Sequence, residues 1–398
     1  GRPEAIYAIE RLLDVAAQEL GISAYEIRKI NFIKPQQMPY QTALGSTYDS
    51  GDFLANLDDA VRLADLSAFE SRRAAALLQN KLRGIGLATY IERCGGGAPE
   101  TARLEVAADG HVTLYIGTQS NGQGHETAFR QILCDRLGVE PGDITLVQGD
   151  SDRVATGGGT GGSRSVPVGG AALSGCAFKL IEKARRRAAD LLEAAVADVE
   201  FKGGEFRIVG TDRQMTFKEV ALQSAPADGG PSFDEQDSFA PAEATYPNGT
   251  HVCELEIDRD TGVLQILNYV VVDDFGKTIN PKLVAGQVHG GIVQGLGQAL
   301  TELASYETES GQLGVATFMD YAMPRADNLC NIEFELNEVP CTTNPLGIKG
   351  AGEAGAIGAP PAIINAIVDA LQPLGVRHLD MPATAEKLWR IMRQAEAA

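Results

Sequence analysis

The chain has 398 residues, of which 44% are hydrophobic and 22% are charged, a composition typical of a globular protein with a sizeable core. Its formal net charge of −19 argues against nucleic acid or an anionic membrane surface as a partner. We find no signal peptide and no apolar run approaching the roughly 20 residues of a membrane-spanning helix, so we expect no membrane insertion. The chain begins with Gly1 rather than Met, and we expect that its true N-terminus has been removed.

The first part of the chain is predicted to be mainly helical. Apolar residues recur with a helical period over residues 3–20, and Gly21 ends that helix. Residues 31–56 are rich in proline and glycine and predict an extended connector. A second helix is predicted over residues 57–82, which are rich in alanine and charge.

Strands begin near residue 84. Residues 103–107 and 111–116 alternate in hydrophobicity around Asp109-Gly110, a pattern that predicts a β-hairpin. The elements predicted after this hairpin are a helix, a strand and a long helix, over residues 125–137, 144–148 and 170–197.

A similar order of elements recurs later in the chain. Residues 253–257 and 263–273 flank an Asp-Thr-Gly turn at 260–262, and a helix starts near Pro281. We interpret this as a weak internal duplication, with residues 200–246 as a loop excursion. The predicted fold class is therefore α+β, with mixed and antiparallel sheets and long packed helices, rather than a doubly wound sheet.

Two glycine-rich loops are candidates for ligand binding. In the first, residues 117–127, glycines including Gly124 free the backbone to approach a ligand, and Gln123 and His125 can form hydrogen bonds with it. The alternative is a plain strand-to-helix turn with a cap. The loop lacks the Gly-x-Gly-x-x-Gly pattern of dinucleotide-binding proteins.

The second loop, residues 156–165, combines successive backbone N–H groups with hydroxyl donors and an arginine, as an anion site would. The candidates in it are Thr160, Gly162, Ser163, Arg164 and Ser165. The alternative is a flexible linker. The loop lacks the Gly-Lys-Ser/Thr ending of a P-loop, which makes an NTPase or another nucleotide-binding module a poor match.

Five glycines occur in the predicted helix over residues 286–298, at a cost of about 1 kcal/mol each relative to alanine. Either a close helix crossing or a ligand against the backbone offsets that cost. Gln287 lies on this helix and is a candidate ligand contact.

One carboxylate, Glu353, lies in a stretch of small residues from Lys349 to Pro361. Such a stretch lets the backbone approach a ligand closely. We predict that Pro360 and Pro361 open a helix, whose N-terminal end favours anions. Glu353 is therefore a candidate catalytic base beside a cofactor.

The remaining metal-type ligands have no clustered spacing. Six cysteines contain no Cys-x-x-Cys pair, so we predict no zinc or iron–sulfur site in this chain and interpret the thiols as core residues in a reducing cytoplasm. Four histidines are interpreted as structural or solvated: His111, His251, His289 and His378. Asp273 and Asp274 are expected to end a strand rather than to bind a metal.

Taken together, these segments resemble the molybdopterin-binding subunit of the xanthine dehydrogenase / aldehyde oxidase family, and in particular the large subunit of aerobic carbon monoxide dehydrogenase and its homologues. The resemblance covers nearly the whole chain. The matching stretches are residues 1–5, 31–33, 47–52, 117–126, 160–167, 272–274, 279–281, 286–287, 318–321 and 349–355.

The resemblance implies that molybdopterin, usually as the cytosine dinucleotide in bacteria, lies between the glycine-rich loops. Glu353 falls on the catalytic glutamate of oxidative hydroxylation, which would accept a proton when the molybdenum centre attacks the substrate. The positions implied to contact the cofactor are Gln123, Gly124, His125, Thr160, Gly162, Ser163, Arg164, Ser165, Asn280, Gln287, Lys349, Gly350, Ala351 and Gly352.

The match is to the C-terminal half of the family's subunit only. Residues 1–82 would be the remainder of its first molybdenum-binding domain, and residues 83–398 its second, with related lobes near 83–246 and 247–398. The implied partners are the N-terminal half, an iron–sulfur subunit, an FAD subunit and a small-molecule substrate. A non-catalytic assembly subunit of the same fold is the alternative.

Overall fold

The structure is a computed structural model that describes residues 1–397. Its helices are α1 (Arg2–Leu20), α2 (Ala24–Asn31), α3 (Phe53–Leu63), α4 (Phe69–Leu77), α5 (His125–Leu137), α6 (Ala171–Leu191), α7 (Phe217–Gln223), α8 (Pro281–Leu300), α9 (Ala354–Leu371) and α10 (Ala385–Ala397). Its strands are β1 (Tyr40–Gln41), β2 (Thr47–Tyr48), β3 (Lys81–Ile91), β4 (Glu100–Val106), β5 (Val112–Ile116), β6 (Ile144–Val147), β7 (Val199–Lys202), β8 (Glu205–Ile208), β9 (Gln214–Thr216), β10 (Phe233–Phe239), β11 (Asn248–Asp258), β12 (Leu264–Asp274) and β13 (Ile332–Leu336).

Two four-stranded sheets organise the chain, and they share one topology. The first has the order β10-β4-β5-β6 and the second the order β3-β11-β12-β13. In each, an antiparallel hairpin forms the centre, and a helix then crosses to a parallel strand at one edge. The predicted hairpins are thus confirmed, and the shared topology agrees with the predicted duplication.

The other edge of each sheet is an antiparallel strand taken from a different place in the chain. β10 follows the first hairpin, whereas β3 precedes it and pairs with β11 of the second sheet. The first core lies between the first sheet and α5 and α6. The second lies between the second sheet and α8 and α9, and α3 covers the opposite face of that sheet. The α+β class is confirmed, and the predicted lobe boundaries stay a prediction.

Helix α9 is the central helix of the second core. A Cβ atom at Gly84 of β3 would lie 2.0 Å from the carbonyl oxygen of Ala366, and one at Gly86 would lie 2.2 Å from that of Ala362. The sheet therefore approaches α9 as closely as its backbone allows. The segment Ala354–Leu374 is long and apolar enough to cross a membrane, with an 18-residue window whose mean hydropathy is 1.4, but 89% of that window is buried inside the protein. The expectation that the chain has no apolar run of this length is therefore wrong. Its burial shows that the run is a core helix.

The predicted start of this helix is wrong. α9 begins at Ala354, and Pro360 and Pro361 lie inside it. Prolines in a helix interior remove backbone hydrogen bonds, but here the helix is buried on nearly all sides and packing holds it together. The consequence is that Glu353 occupies the N-cap position of α9.

Other boundaries also differ from the predictions. Gly21 ends α1, as predicted. Helix α2 is not among the predicted elements. The second predicted helix is divided into α3 and α4, because Asp65 adopts a left-handed conformation with φ of 45°. Residues 200–246 are not a loop excursion: they form β7–β10 and α7. Strand β10 was not predicted because it lies at the edge of its sheet and one of its faces is charged and exposed, which weakens the hydrophobic pattern of a strand.

The glycines of α8 are explained in part by a close helix crossing. A Cβ atom at Gly291 would lie 2.8 Å from the backbone nitrogen of Ala356, and one at Gly295 would lie 2.8 Å from Cβ of Ala359. Both contacts are with α9. Gly286 and Gly290, in contrast, face open space.

This contrast predicts opposite effects at two adjacent positions. We expect Gly291→Ala to lower the free energy of unfolding by about 1–3 kcal/mol, because the added methyl forces α8 and α9 apart. Gly290→Ala is the matched control and should be neutral or stabilising by up to about 1 kcal/mol, because alanine favours the helix. Denaturant unfolding of both variants measures the difference, and equal effects would contradict the packing explanation.

Candidate functional site

A cleft with a volume of about 590 Å³ lies among the described residues. Its lining comes from four segments, residues 121–128, 160–167, 275–287 and 348–353. Three of these segments open α5, α8 and α9, and the fourth opens the π-helical turn Ser165–Gly170 that continues into α6, so the N-terminal ends of three helices and of this turn lie around one space. Helix N-termini present unpaired N–H groups and favour anions.

The two glycine-rich loops form one wall and touch each other. Gln123 Nε2 donates to Oγ1 of Thr160 at 3.3 Å, and Oγ1 of Thr160 lies 3.2 Å from Oγ of Ser165. Gly162 and Ser163 both have positive φ, of 59° and 52°. A left-handed conformation is uncommon for serine and indicates a loop shaped for a purpose other than stability.

His125, the first residue of α5, supplies an unpartnered donor in this wall. Its Nδ1 lies 3.3 Å from Nε2 of Gln148. The amide nitrogen can only donate, so Nδ1 accepts and the imidazole proton resides on Nε2. Nε2 is buried and has no hydrogen-bond partner among residues 1–397. Burial lowers the pKa of His125, which keeps the ring neutral.

Glu353 lies where the glycine-rich wall meets the start of α9. Its Oε2 accepts a hydrogen bond from Nη1 of Arg2 at 2.6 Å and another from Oγ of Ser163 at 3.1 Å. Both bonds go to the same oxygen, which leaves Oε1 for a further partner. The side chain is 45% exposed and does not cap the helix, so it is available to a molecule in the cleft.

The stretch before Glu353 is held from below by a buried ion pair. Nζ of Lys349 lies 2.6 Å from Oδ2 of Asp274, and both side chains are fully buried. Lys349 also donates to the carbonyl oxygen of Ser50 at 3.2 Å. Although Lys349 lines the cleft, its charge serves to anchor the 349–352 segment.

Gly350 marks the closest approach between this segment and the glycine-rich loop. A Cβ atom there would lie 2.7 Å from both Cβ of Ser163 and Cβ of Cys94. Any side chain at position 350 would separate the two walls. A Cβ atom at Gly352, in contrast, would lie 3.3 Å from Oγ of Ser163. This contact is tight but less severe, and Gly352 itself lines the cleft.

Most of the sequence-predicted residues come together here. Those that line the cleft are Gln123, His125, Thr160, Gly162, Ser163, Ser165, Asn280, Gln287, Lys349, Ala351, Gly352 and Glu353. Asn280 also caps α8 through its Oδ1. Three predicted residues are outside the lining: Gly124, Gly350 and Arg164.

Arg164 is directed elsewhere. Its Nη2 donates to the carbonyl oxygens of Ala98 and Pro99 at 2.7 and 3.1 Å, and its Nη1 lies 3.5 Å from the buried Glu100. In this structure the guanidinium therefore braces the glycine-rich loop, and a phosphate contact by Arg164 stays a prediction that this geometry does not favour.

Sequence reasoning missed two cations at the site. Arg2 belongs to a stretch that matched the family, but no role was assigned to it, because its distance from Glu353 along the chain hides the contact. Lys277 follows β12 and lines the cleft. It could not be predicted as a site residue, because it belongs to no recognisable sequence motif.

The other titratable residues discussed above have structural partners. Asp273 and Asp274 end β12, as predicted. Burial raises the pKa of Asp273 to about 8, and Tyr90 donates to its Oδ1 at 2.8 Å. All six cysteines are free thiols. Within residues 1–397, no group of three or more histidine, cysteine or acidic side chains could hold a metal ion. That this chain lacks a redox centre of its own stays a prediction.

The donor set fits a large anionic cofactor held by its organic part. Among the described residues that line the cleft, Glu353 is the one with a carboxylate, whereas amides, hydroxyls and Lys277 provide hydrogen-bond donors. The unpartnered Nε2 of His125 and the N-termini of α5, α8 and α9 add donors that a polar ligand would satisfy.

Comparisons with known proteins agree with this site. Residues 60–330 match the molybdopterin cofactor-binding domain, and the chain belongs to this family of molybdenum hydroxylases, as its motifs predict. It is 34% identical to the carbon monoxide dehydrogenase large chain of Hydrogenophaga pseudoflava, over 99% of this chain and 51% of that protein. It is 36% identical to subunit gamma of the 6-hydroxypseudooxynicotine dehydrogenase complex of Paenarthrobacter nicotinovorans, over 98% of this chain and 50% of that protein.

The fold agrees as well. Reconstituted carbon monoxide dehydrogenase from Oligotropha carboxidovorans superposes with a TM-score of 0.94 at 34% identity, over 100% of this chain and 52% of that chain. The chain thus spans about half the length of the relatives that it matches. This coverage is consistent with the C-terminal half that the motifs predict.

Proposed function

We propose that this chain is the C-terminal part of the catalytic subunit of a molybdenum hydroxylase. Its cleft would bind molybdopterin, in the cytosine dinucleotide form, and Glu353 would be the catalytic base. The observation that carries the proposal is the position of Glu353. This carboxylate lies half-exposed between a glycine-rich loop and a helix N-terminus, and it is the one carboxylate among the described residues that line the cleft.

Each wall of the cleft would have a different task. The wall of Gln123, Thr160 and Ser165 would bind the polar organic part of the cofactor, since it offers amide and hydroxyl groups at short range. The anchored 349–352 segment would face the metal end, because it is continuous with Glu353. Backbone N–H groups at the starts of α5 and α8 would face anionic groups.

Glu353 is suited to accept a proton at Oε1, because both of its hydrogen bonds go to Oε2. When bound, a molybdenum cofactor supplies an activated oxygen nucleophile and takes up the two electrons removed from the substrate. Ser163 and Arg2 would keep the carboxylate oriented while the proton moves. A positioned general base contributes about 10²–10⁴-fold to a rate.

The proposal includes partners. The relatives span about twice this chain, so the N-terminal half would complete the cleft, and iron–sulfur and FAD subunits would carry electrons away. The substrate would be a small molecule, and the location cytoplasmic.

The test is a cofactor measurement on protein purified from its native host. We expect near-stoichiometric molybdenum, and release of a cytosine nucleotide after acid treatment. We also expect the chain produced alone to retain little cofactor, because part of the enclosing wall is missing and affinity depends on an enclosed, preorganised site.

The outcomes separate the alternatives. Molybdenum and pterin without cytosine would contradict the dinucleotide form alone. A native complex that lacks both would contradict the enzymatic function and favour a non-catalytic assembly subunit. Stoichiometric cofactor in the chain produced alone would show that the other half is not needed for binding.

A further inference from the structure

A second carboxylate, Glu92, lies buried behind Glu353. It follows the end of β3, and its backbone nitrogen donates to the carbonyl oxygen of Pro247 at 2.9 Å, so the backbone that carries it is fixed. Its side chain is fully buried. Among residues 1–397, its carboxylate oxygens have no hydrogen bond of good geometry, and its ion-pair contact is with Arg2. Such a group is costly to bury, and stability alone does not account for it.

Arg2 joins the two carboxylates. Its Nη1 lies 2.6 Å from Oε2 of Glu353 and 3.2 Å from Oε1 of Glu92. Its Nη2 donates to the carbonyl oxygen of Arg93 at 3.1 Å, which holds the guanidinium in place. Nη1 carries two N–H groups, so Arg2 bridges the two carboxylates, and the shorter contact is with Glu353.

We propose that Glu92 is a positioning residue for Glu353: it is the second acceptor at Nη1 of Arg2 and shares the guanidinium that would otherwise pair with Glu353 alone. The inference rests on the proposed role of Glu353 as base. A carboxylate paired with arginine alone is a weak base, because the cation stabilises its charged form. A second negative charge on the far side of the same arginine offsets that stabilisation.

The groups around Glu92 support this role. Burial raises the pKa of Glu92 to about 7, and the nearby Glu353 acts in the same direction, whereas the Cys94 thiol and Arg2 oppose it. Burial also raises the pKa of Cys94 and of Tyr90, so both stay neutral. Arg2 on α1 and Glu353 at the start of α9 are therefore the charged groups that face Glu92, which is itself charged only above about pH 7.

The first test uses Glu92→Gln in the assembled, molybdenum-loaded enzyme. We expect kcat/KM to fall about tenfold through kcat above about pH 7, where Glu92 of the parent enzyme is charged, and this deficit to disappear at lower pH, where Glu92 is already neutral. The matched control is Glu254→Gln, a buried glutamate that pairs with Arg72 at 2.6 Å far from the cleft. It should leave the profile unchanged. A deficit in Glu92→Gln that does not change between about pH 6 and about pH 8 would overturn the proposal.

The second test needs no cofactor. Because the pKa of folded Glu92 is raised, its contribution to stability falls as the pH rises from about 4.5 through about 7. The Tm of Glu92→Gln minus that of the parent protein should therefore become more positive from about pH 5 to about pH 8. This gain should shrink in a Glu353→Gln background, because Arg2 then pairs with Glu92 alone.

The two tests separate the two hypotheses. If the native protein proves to lack molybdenum, the proposed function fails, but the Tm comparison still reports whether Glu92 and Glu353 share Arg2. Equal pH-dependent gains in both backgrounds would show that they do not, and would overturn the inference regardless of the cofactor.

Discussion

Glu353→Gln in the assembled enzyme is expected to lower turnover per molybdenum by about 10²–10⁴-fold. Glutamine is nearly isosteric with glutamate and can still accept hydrogen bonds from Arg2 and Ser163, so the fold and the cofactor content should persist. What is lost is the capacity to accept a proton. Steady-state turnover divided by molybdenum content measures the effect.

Glu338→Gln is the matched control for this substitution. Glu338 is exposed and accepts a hydrogen bond from the backbone nitrogen of Thr278 at 2.8 Å, close to the cleft but outside its lining. The same change of charge there should leave turnover near that of the parent enzyme. Near-parental turnover per molybdenum in Glu353→Gln would show that another group is the base.

Lys349→Met is expected to have the largest effect on stability. It removes the cation that lies 2.6 Å from Oδ2 of Asp274 while both side chains are fully buried. Breaking a buried ion pair on one side costs about 3–5 kcal/mol, because it leaves an uncompensated charge in the interior. Denaturant unfolding gives the free energy, and the loosened 349–352 segment should also lower cofactor content.

A double variant tests the physical cause. In Lys349→Met/Asp274→Asn the unpaired charge is gone, and Oδ1 of the asparagine can still accept from the backbone nitrogen of Gly276. Part of the lost stability should therefore return. The control pair is Lys179 and Asp237, with the same residue types and the same 2.6 Å separation but at the surface. Lys179→Met should have a much smaller effect, because water screens exposed pairs.

The sequence alone determined the fold class, the two hairpins and most of the candidate site. Asp109-Gly110 and residues 260–262 are local turn signals. Such signals suffice to predict a hairpin, because the turn residues themselves favour the backbone conformation of the turn. The glycine-rich loops could be recognised because glycine is costly in the absence of a close backbone contact. Glu353 could be recognised because it is the one carboxylate among small residues.

Only the tertiary structure decided the rest, because the decisive contacts join distant parts of the chain. Pro360 and Pro361 fail as a start signal, since burial of α9 outweighs their local cost. Arg164 points away from the cleft toward Ala98 and Pro99, although the glycine-rich sequence around it is typical of an anion site. Arg2, Glu92 and Glu353 are separated along the chain and become one charged cluster only when α1, β3 and α9 pack together. Local sequence patterns report backbone preference, whereas these side chains are oriented by partners that lie far away in sequence.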